Sequence, residues 1–280
     1  MITPEEEVFI KNNAYVPEHI PGYGMAISEG EPFLLQDYLC YQGKGFFIFV
    51  GYPLQGSFRE DLMQEIFQAA VRRFKPVQIA LIAPTISSKV GSPRHADAYY
   101  KLALADFRIP PQVKNMAKRA ARELKVEMGQ EFQEEHRNLI ADFLASHPVD
   151  EGTRYILQRI PRYLSSVPTA CIFNARDSAG KLVAFDIADF GAKHYAFYMF
   201  NFRSRQHHVP GTSDLLLQAL IKEAEQQGKT YVNLGLGVNQ GVAFFKKKWG
   251  GQPFLNHEFL LYRPSFPTLF DSLLQGLFRS

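Results

Sequence analysis

The sequence predicts a mixed α/β protein, of the α+β type, in which a mainly antiparallel sheet is flanked by helices. Two segments repeat the order strand, loop, helix, strand, and three strands joined by turns run into the second of these segments. The chain has 280 residues, of which 46% are hydrophobic, so it is long enough to bury one large core or two smaller ones. A mixed sheet covered by helices is the arrangement that buries such elements.

The first repeat lies at residues 45–84. The apolar run GFFIFVG (45–51) indicates a strand, and after the turn PLQGS the segment FREDLMQEIFQAAVRRF (58–74) has the apolar spacing of a helix. The segment VQIALIAP (77–84) then returns to the pattern of a strand.

The second repeat begins with the last strand of a predicted antiparallel meander of three strands, which covers residues 170–202. That strand, HYAFYMFNF (194–202), is followed by a loop, by the helix TSDLLLQALIKEAEQQ (212–227) and by the strand TYVNLG (230–235), with Gly228 expected to end the helix. Because the repeats share an order of elements but little identity, we expect a structural repeat with one half degenerate.

Residues 109–129 and 131–147, which lie between the repeats, are each expected to form a helix. The apolar face of the first would consist of Val113, Met116, Ala120 and Leu124. After the second repeat we expect a short basic helix, a strand at 252–262 and a terminal helix at 263–280. The terminal helix would close the core or form a homodimer contact, with membrane contact as the alternative.

Composition and charge exclude several classes of protein. With 31 basic and 28 acidic residues the net charge is +3, which does not call for DNA or an anionic membrane as a partner. No apolar run approaches the roughly 20 residues of a membrane span, and the acidic N-terminus lacks a signal-peptide core, so we expect a cytoplasmic protein without an integral membrane segment. Two cysteines and scattered histidines predict no metal site.

Three glycines after the strand TYVNLG suggest a dinucleotide-binding fingerprint: Gly235, Gly237 and Gly241. That fingerprint needs an acidic residue about 20 positions later, at the end of the next strand of a parallel unit. Glu258 falls inside a predicted strand, and only 22 residues follow it. We therefore expect the glycines to shape the exit from the strand rather than to bind a dinucleotide.

The loop QHHVPGTSDLL (206–216) is a better candidate for binding a phosphate. Gly211 permits close backbone approach, and Thr212 or Ser213 can cap the following helix. The amides of its first turn would face an anion with the positive end of the helix dipole. An ordinary capped helix would have the same residues, so the loop alone does not decide the function.

The order of elements around this loop resembles the GNAT superfamily of acyl-CoA N-acyltransferases. In that fold a three-strand meander precedes a loop of the form (Gln/Arg)-x-x-Gly-x-(Gly/Ala), whose amides hold the coenzyme A pyrophosphate. The segment HVPGTS (208–213) fits this spacing, with a histidine at the first position.

A second family motif, Asn-x-x-Ala-x-x-x-Tyr-x-x-x-Gly, has its asparagine and glycine at Asn239 and Gly250, while Val242 and Lys246 replace the alanine and the tyrosine. The segment FKKKWG (245–250) is similar to the motif found at this place in FemABX-type peptidyltransferases and in lysyl-phosphatidylglycerol synthases. The resemblance implies two GNAT-like halves, which we place at 1–108 and 109–280, with the acyl-donor site in the second.

The implied activity is the transfer of an acyl or aminoacyl group to a small-molecule or peptide amine. The donor would be acetyl-CoA or another acyl-CoA, with aminoacyl-tRNA as an alternative that would meet basic residues such as Lys118 and Arg122. A catalytically degenerate acyl-CoA-binding or regulatory protein is the alternative function, because the tyrosine that protonates the departing thiolate is replaced by Lys246.

The resemblance also implies a set of donor-binding residues, of which the first two would act through their backbone: Phe200, Phe202, His208, Val209, Gly211, Thr212, Ser213 and Asn239. The candidates for proton transfer are Asp186, Tyr198 and Lys246. Asp186 lies in the most apolar part of the strand LVAFDIADF, where burial would raise its pKa toward a useful range. Asp189 and His194 are weaker alternatives nearby.

Overall fold

The computed structural model describes residues 2–93 and 95–264. Its strands are β1 (Glu31–Leu35), β2 (Tyr38–Gly43), β3 (Phe46–Val50), β4 (Gln78–Ala83), β5 (His95–Ala103), β6 (Leu124–Gly129), β7 (Ala170–Asp177), β8 (Leu182–Asp189), β9 (Tyr195–Arg203), β10 (Tyr231–Leu236) and β11 (Gln252–Tyr262). They form one sheet in the order β1-β2-β3-β4-β11-β5-β10-β9-β8-β7-β6.

The described helices flank this sheet on both faces. They are α1 (Pro4–Asn13), α2 (Pro21–Ser28), α3 (Glu60–Phe74), α4 (Pro111–Ala120), α5 (Glu134–Ser146), α6 (Glu151–Gln158), α7 (Ile160–Ser166), α8 (Thr212–Gln226) and α9 (Gln240–Lys248). A short 3₁₀ turn, Pro17–His19, precedes α2. The predicted mixed α/β architecture is therefore confirmed.

Among the strands that the structure describes, two neighbouring pairs are parallel, β3 with β4 and β9 with β10. These are the strand pairs of the two repeats, and each pair is joined by one helix, α3 or α8. The strands β7, β8 and β9 are antiparallel neighbours, as predicted for the meander. The remaining neighbours are also antiparallel, so the sheet is mainly antiparallel as expected.

The prediction of one helix over 109–129 is wrong. α4 ends at Ala120, and after a short turn Leu124 begins the edge strand β6, which pairs with β7. Leu124 is buried and Lys125 is exposed, as alternation along a strand requires. On the helix itself Val113 and Ala120 are buried.

The strand β5 was not predicted, and it ties the two repeats together. It follows the first repeat in the chain, yet it pairs with β10 of the second repeat on one side and with β11 on the other. β11 in turn follows the second repeat and pairs with β4 of the first. Each repeat therefore has a strand from the other part of the chain beside its parallel pair.

The second half of the sheet has two differently covered faces. Its α8 face packs α4, α8 and α9 against the alternate residues of β8, including Ala184 and Ala188. Its α5 face packs α5, α6 and α7 against the other alternate residues, including Phe185 and Ile187. β8 is buried along its whole length because both faces are covered.

The predicted terminal helix lies outside the described residues from position 265 onward. Across residues 2–93 and 95–264, each helix is too short or too polar to cross a bilayer. In the same residues no group of three histidine, cysteine, aspartate or glutamate side chains is arranged to hold a metal ion.

Candidate active site

The parallel strands β9 and β10 separate partway along and leave a gap in the sheet. Their pairing ends at Asn233↔Phe197. Beyond that point β10 follows β5, where Leu236 pairs with Tyr99. β9 continues to Arg203 with no partner on this side among the described strands. Its backbone therefore offers unpaired hydrogen-bonding groups to the gap.

Gly235 is the residue at which β10 leaves β9. Its φ of 76° lies in the left-handed region that favours glycine, and its amide donates to Asn233 Oδ1 at 2.8 Å. The Asn233 amide group is held in turn by the Tyr15 carbonyl, also at 2.8 Å. A Cβ on Gly235 would lie 3.4 Å from the Tyr198 carbonyl oxygen and 3.5 Å from Lys246 Nζ. The glycine therefore keeps the gap clear where those two groups converge.

The Lys246 amine lies at the end of β10, beside this gap. It is 3% exposed, and its Nζ donates to the Leu236 carbonyl oxygen. Burial lowers the pKa of Lys246 to about 7, and the negative charge of Asp97 opposes this shift. At neutral pH the amine therefore exists in both protonation states. The proposed donor-binding residue Asn239 caps α9, since its side chain accepts from the Val242 amide at 3.0 Å.

The three consecutive lysines of α9 have three different environments. Lys246 is buried, Lys247 is exposed, and Lys248 pairs with Asp214 in the first turn of α8, with 2.7 Å between the charged atoms. Trp249 Nε1 donates to the same carboxylate at 2.9 Å. These two contacts fix the end of α9 against the start of α8, so only Lys246 among the three has its amine beside the gap.

The loop before α8 is held by packing against α4. Gly211 has a φ of 88°, and a Cβ there would lie 2.3 Å from the Met116 carbonyl oxygen. Val209 is buried in the core, and the Thr212 hydroxyl donates back to the Val209 carbonyl at 2.6 Å. The expectation that Thr212 or Ser213 caps the helix is therefore wrong, because Gly211 occupies the cap position and no side chain caps it.

The missing cap leaves backbone donors at the start of α8. Neither the Ser213 amide nor the Asp214 amide donates to any residue that the structure describes. His208, which was expected to help hold the donor, is exposed on the preceding loop. The start of α8 therefore combines unpaired amides with the positive end of the helix dipole, which suits a phosphate.

A buried polar network lies below the start of α8, on the α8 face of the sheet. The Ser213 hydroxyl donates to Asn201 Oδ1 at 3.5 Å, and Asn201 Nδ2 donates to Asp186 Oδ1. Burial raises the pKa of Asp186 to about 8, while Asn201 and the Tyr198 hydroxyl oppose this rise. Asp186 Oδ2 has no hydrogen-bond partner among the described residues. A carboxyl group in this setting is protonated at neutral pH.

The side chains of Phe200 and Phe202 point away from this network. Phe202 stacks on Phe185 with ring centroids 5.0 Å apart and meets Phe143 edge-on, so it belongs to the α5 face. Phe200 packs against the same cluster. Only the backbone of these two residues borders the gap.

The predicted site residues therefore fall into two connected groups. Asp186 and Ser213 meet through Asn201, the Tyr198 side chain lies beside Asp186, and Lys246 and the Tyr198 carbonyl meet at Gly235. Asn201 was missed, although its place between two phenylalanines in the strand signals a polar side chain facing the opposite side of the sheet.

Comparison with solved structures identifies the fold. L-PGS from Bacillus licheniformis superposes with a TM-score of 0.58 and 17% identity, covering 98% of this chain and 96% of its own. FemX gives 0.61 and 10%, covering 100% and 99%. A tandem GNAT protein from the clavulanic acid biosynthesis pathway gives 0.53 and 12%, covering 82% and 79%.

The likeness lies in structure rather than in sequence, because the chain matches no protein-family model and no curated protein. The neighbours named above share the mainly antiparallel sheet flanked by helices over most of their length. The chain therefore has a fold of the GNAT type, like that of FemX, L-PGS and the tandem GNAT protein.

Proposed function

We propose that the protein is an N-acyltransferase that moves an acyl or aminoacyl group onto an amine in the cytoplasm. The observation that carries this proposal is the gap between β9 and β10, with the buried amine of Lys246 beside it. A gap bordered by unpaired backbone groups and a titratable side chain is suited to holding an acyl carbonyl and moving protons.

The donor would lie between the start of α8 and the gap. Its phosphate groups would accept from the Ser213 and Asp214 amides, and its acyl carbonyl would accept from the unpaired backbone of the 200–202 segment. Asp186 would support this arrangement in its protonated form, because a neutral carboxyl group does not repel a nearby phosphate. The hydrogen bond that Asp186 accepts from Asn201 holds the Asn201 side chain on the side of β9 that faces α8.

Lys246 would handle the protons of the transfer. The neutral amine of the acceptor attacks the acyl carbon, so that a C–N bond forms and the C–S bond of the thioester breaks. The Lys246 ammonium gives a proton to the departing thiolate, and the resulting neutral Lys246 takes a proton from the new amide nitrogen. A pKa of about 7 suits both steps near neutral pH, since the two forms are then both populated.

Aminoacyl-tRNA is the second candidate donor, and a basic surface favours it. α4 packs directly against the loop before α8, and its outer side carries exposed basic residues. These are Lys114, Lys118 and Arg119, with Arg122 just beyond the helix end. Such a surface would contact the phosphates of an acceptor arm beside the proposed donor site.

The test uses the full chain with both donors. We expect coenzyme A or acetyl-CoA to raise the melting temperature, and a panel of primary amines to release thiol from acetyl-CoA. Salt-sensitive tRNA binding that is lost in the double variant Lys118→Glu, Arg122→Glu would instead select the tRNA donor.

Two results would contradict the enzyme proposal. Donor binding without any transfer to the amine panel would favour the alternative of a non-catalytic acyl-CoA-binding protein. Failure of both donors to bind would remove the proposal altogether.

A further inference from the structure

The α5 face of the sheet carries a second titratable cluster, which the proposed transfer steps do not use. Residues 14–23 cross this face and pack on β9, where Ile20 and Tyr23 contact the cluster of Phe197. Glu18 lies in this segment, and its Oε2 accepts from the Tyr99 hydroxyl at 2.8 Å.

Tyrosines surround the Glu18 carboxylate. Burial raises the pKa of each of four tyrosines near Glu18, and a negative charge on Glu18 raises each pKa further. They are Tyr23, Tyr41, Tyr52 and Tyr99. The hydroxyls of Tyr41 and Tyr52 donate to backbone carbonyls, whereas that of Tyr99 donates to the carboxylate itself.

No cation of the described chain compensates this carboxylate. Glu18 takes part in none of the ion pairs formed within residues 2–93 and 95–264. The basic ring of His257 packs edge-on against Tyr99 at 5.2 Å, but burial lowers its pKa to about 4, so it is neutral near pH 7. Burial raises the pKa of Glu18, because an ionised carboxylate without a nearby cation is costly to bury, and a ligand cation would favour its charged form.

The surroundings can accept a polar ligand. Glu18 keeps part of its surface exposed, and only one of its carboxylate oxygens has a partner among the described residues. His257 Nδ1 likewise has no hydrogen-bond partner there, although the residue is only 7% exposed. Aromatic rings beside a carboxylate are the surroundings that attract an ammonium group through both charge and ring faces.

This cluster lies on the opposite side of the sheet from Lys246, at the same position along it. Tyr99 is the register partner of Leu236, and the Leu236 carbonyl accepts from Lys246 Nζ on the α8 face. Glu18 therefore approaches the strand pair beside the gap from the α5 face. A molecule bound at Glu18 and a donor bound on the α8 face would meet at the gap from two sides.

We propose that Glu18 and the tyrosine rings around it bind the ammonium group of a cationic primary amine. That this amine is the acceptor rests on the proposed function, whereas its binding at Glu18 does not. As the acceptor, it would first give one ammonium proton to the Glu18 carboxylate, because only the neutral amine attacks the acyl carbon. The carboxylate supplies the countercharge, and the Tyr99 hydroxyl holds the carboxylate in place.

The experiment measures binding of butylamine alone to the full chain, by saturation-transfer NMR and calorimetry, with 1-butanol as the uncharged probe of similar size. We expect butylamine to bind better than butanol, and Glu18→Gln to weaken butylamine binding by about tenfold or more, because a charge-assisted contact is lost. Glu7→Gln, in the exposed part of α1, is the matched control and should bind as the wild type does. Glu18→Gln should leave the melting temperature equal or higher, because it removes an uncompensated charge.

Equal binding of the two probes by the wild type, or unchanged butylamine binding in Glu18→Gln, would overturn the proposal. A lower melting temperature with unchanged binding would mark Glu18 as purely structural. If Glu18→Gln does not fold, Tyr99→Phe replaces it, with weaker butylamine binding expected and unchanged binding contradicting the proposal. Acetyl-CoA and tRNA binding are measured on the same variants, so loss of the donor site and loss of the amine site are told apart.

Discussion

The two strand–helix–strand repeats differ in how far their parallel strands stay paired. β3 and β4 pair at five successive positions up to Val50↔Ile82, and the Gly51 amide adds a bond to the Ile82 carbonyl at 2.6 Å. β9 and β10 pair at three positions and then separate at Asn233. One topology therefore gives a closed sheet in the first repeat and a gap in the second.

The side chains explain why one pair stays closed. In the first repeat the inward residues of both strands are large and apolar, and they pack without any buried polar atom to satisfy: Phe47, Phe49, Ile79 and Leu81. In the second repeat Asn233 binds the Gly235 amide, and the left-handed backbone at Gly235 turns the strand toward β5. A local hydrogen bond and a glycine thus separate two strands that apolar packing would otherwise keep paired.

The difference supports our proposal that the donor site lies beside the second repeat. Three titratable or polar side chains that are buried around the gap belong to the second repeat or to the segments that directly precede and follow it, namely Asp186, Asn233 and Lys246. Burying such groups costs free energy, which supports our proposal of a site beside this gap.

Of the substitutions that test this comparison, that of Lys246 should have the largest effect, on the rate of acyl transfer. Lys246→Met should reduce thiol release from acetyl-CoA by about 10²–10⁴-fold, the usual contribution of a positioned proton donor. Donor binding, followed by thermal shift, should survive because Lys246 does not touch the start of α8. The measurement is the rate of thiol release at saturating donor.

The matched control is Lys247→Met, which removes the neighbouring charge from an exposed position. We expect its rate to equal that of the wild type. Equal losses in the two variants would mean that the basic helix attracts the donor through its net charge, and the role assigned to the buried amine would be wrong.

A second prediction compares glycines in the two equivalent loops. Gly56, between β3 and α3, has a φ of 76°, and a Cβ there would have nothing within 4 Å, whereas a Cβ on Gly211 would meet the Met116 carbonyl at 2.3 Å. Both alanine substitutions strain the backbone, at about 1–2 kcal/mol each. Gly211→Ala should lower the free energy of unfolding by about 1–3 kcal/mol more, because a rigid carbonyl must shift.

Urea unfolding of the two variants measures this difference. Equal destabilisation would show that the contact between the α8 loop and α4 yields easily. In that case the loop would not be held rigidly by α4, and the preorganised anion site would lose its support.

The repeats were predictable from the sequence because their signals are local. The helix α8 and the final strand β11 follow from apolar periodicity and from the turn residues between them. The roles predicted for the 206–213 loop and for Lys246 followed from a family resemblance, and in the structure the end of α9 packs against the start of α8.

The rest depended on contacts that no local pattern records. β5 follows the first repeat but pairs with β10 of the second, and β11 follows the second repeat but pairs with β4 of the first. These pairings, and that of β5 with β11, join residues far apart in the chain, such as Tyr99 and Leu255. The sequence did not indicate a role for Glu18, because an isolated glutamate in a proline-containing segment is typical of an exposed loop. The prediction of a helix over 109–129 failed because Lys125 and Glu127, the charged residues of LKVEMG, continue the polar pattern of the preceding helix and obscure the alternation of an edge strand.

The smallest predicted effect concerns pH and isolates the buried amine from the other titrating groups. The pKa of Lys246 falls from 10.5 to about 7 on folding, so between these values the unfolded chain binds a proton that the folded chain does not. Stability attributable to this residue must therefore rise with pH across that window, by at most about 1.4 kcal/mol per pH unit. Lys246→Met lacks this dependence. The free energy of unfolding of the wild type, relative to that of the variant, should therefore increase from pH 7 to pH 9. Urea unfolding at both pH values measures it, with Lys247→Met expected to run parallel to the wild type. A parallel course for Lys246→Met as well would mean that the Lys246 amine stays hydrated, and the gap would then lack the titratable group that separates it from the closed ladder of the first repeat.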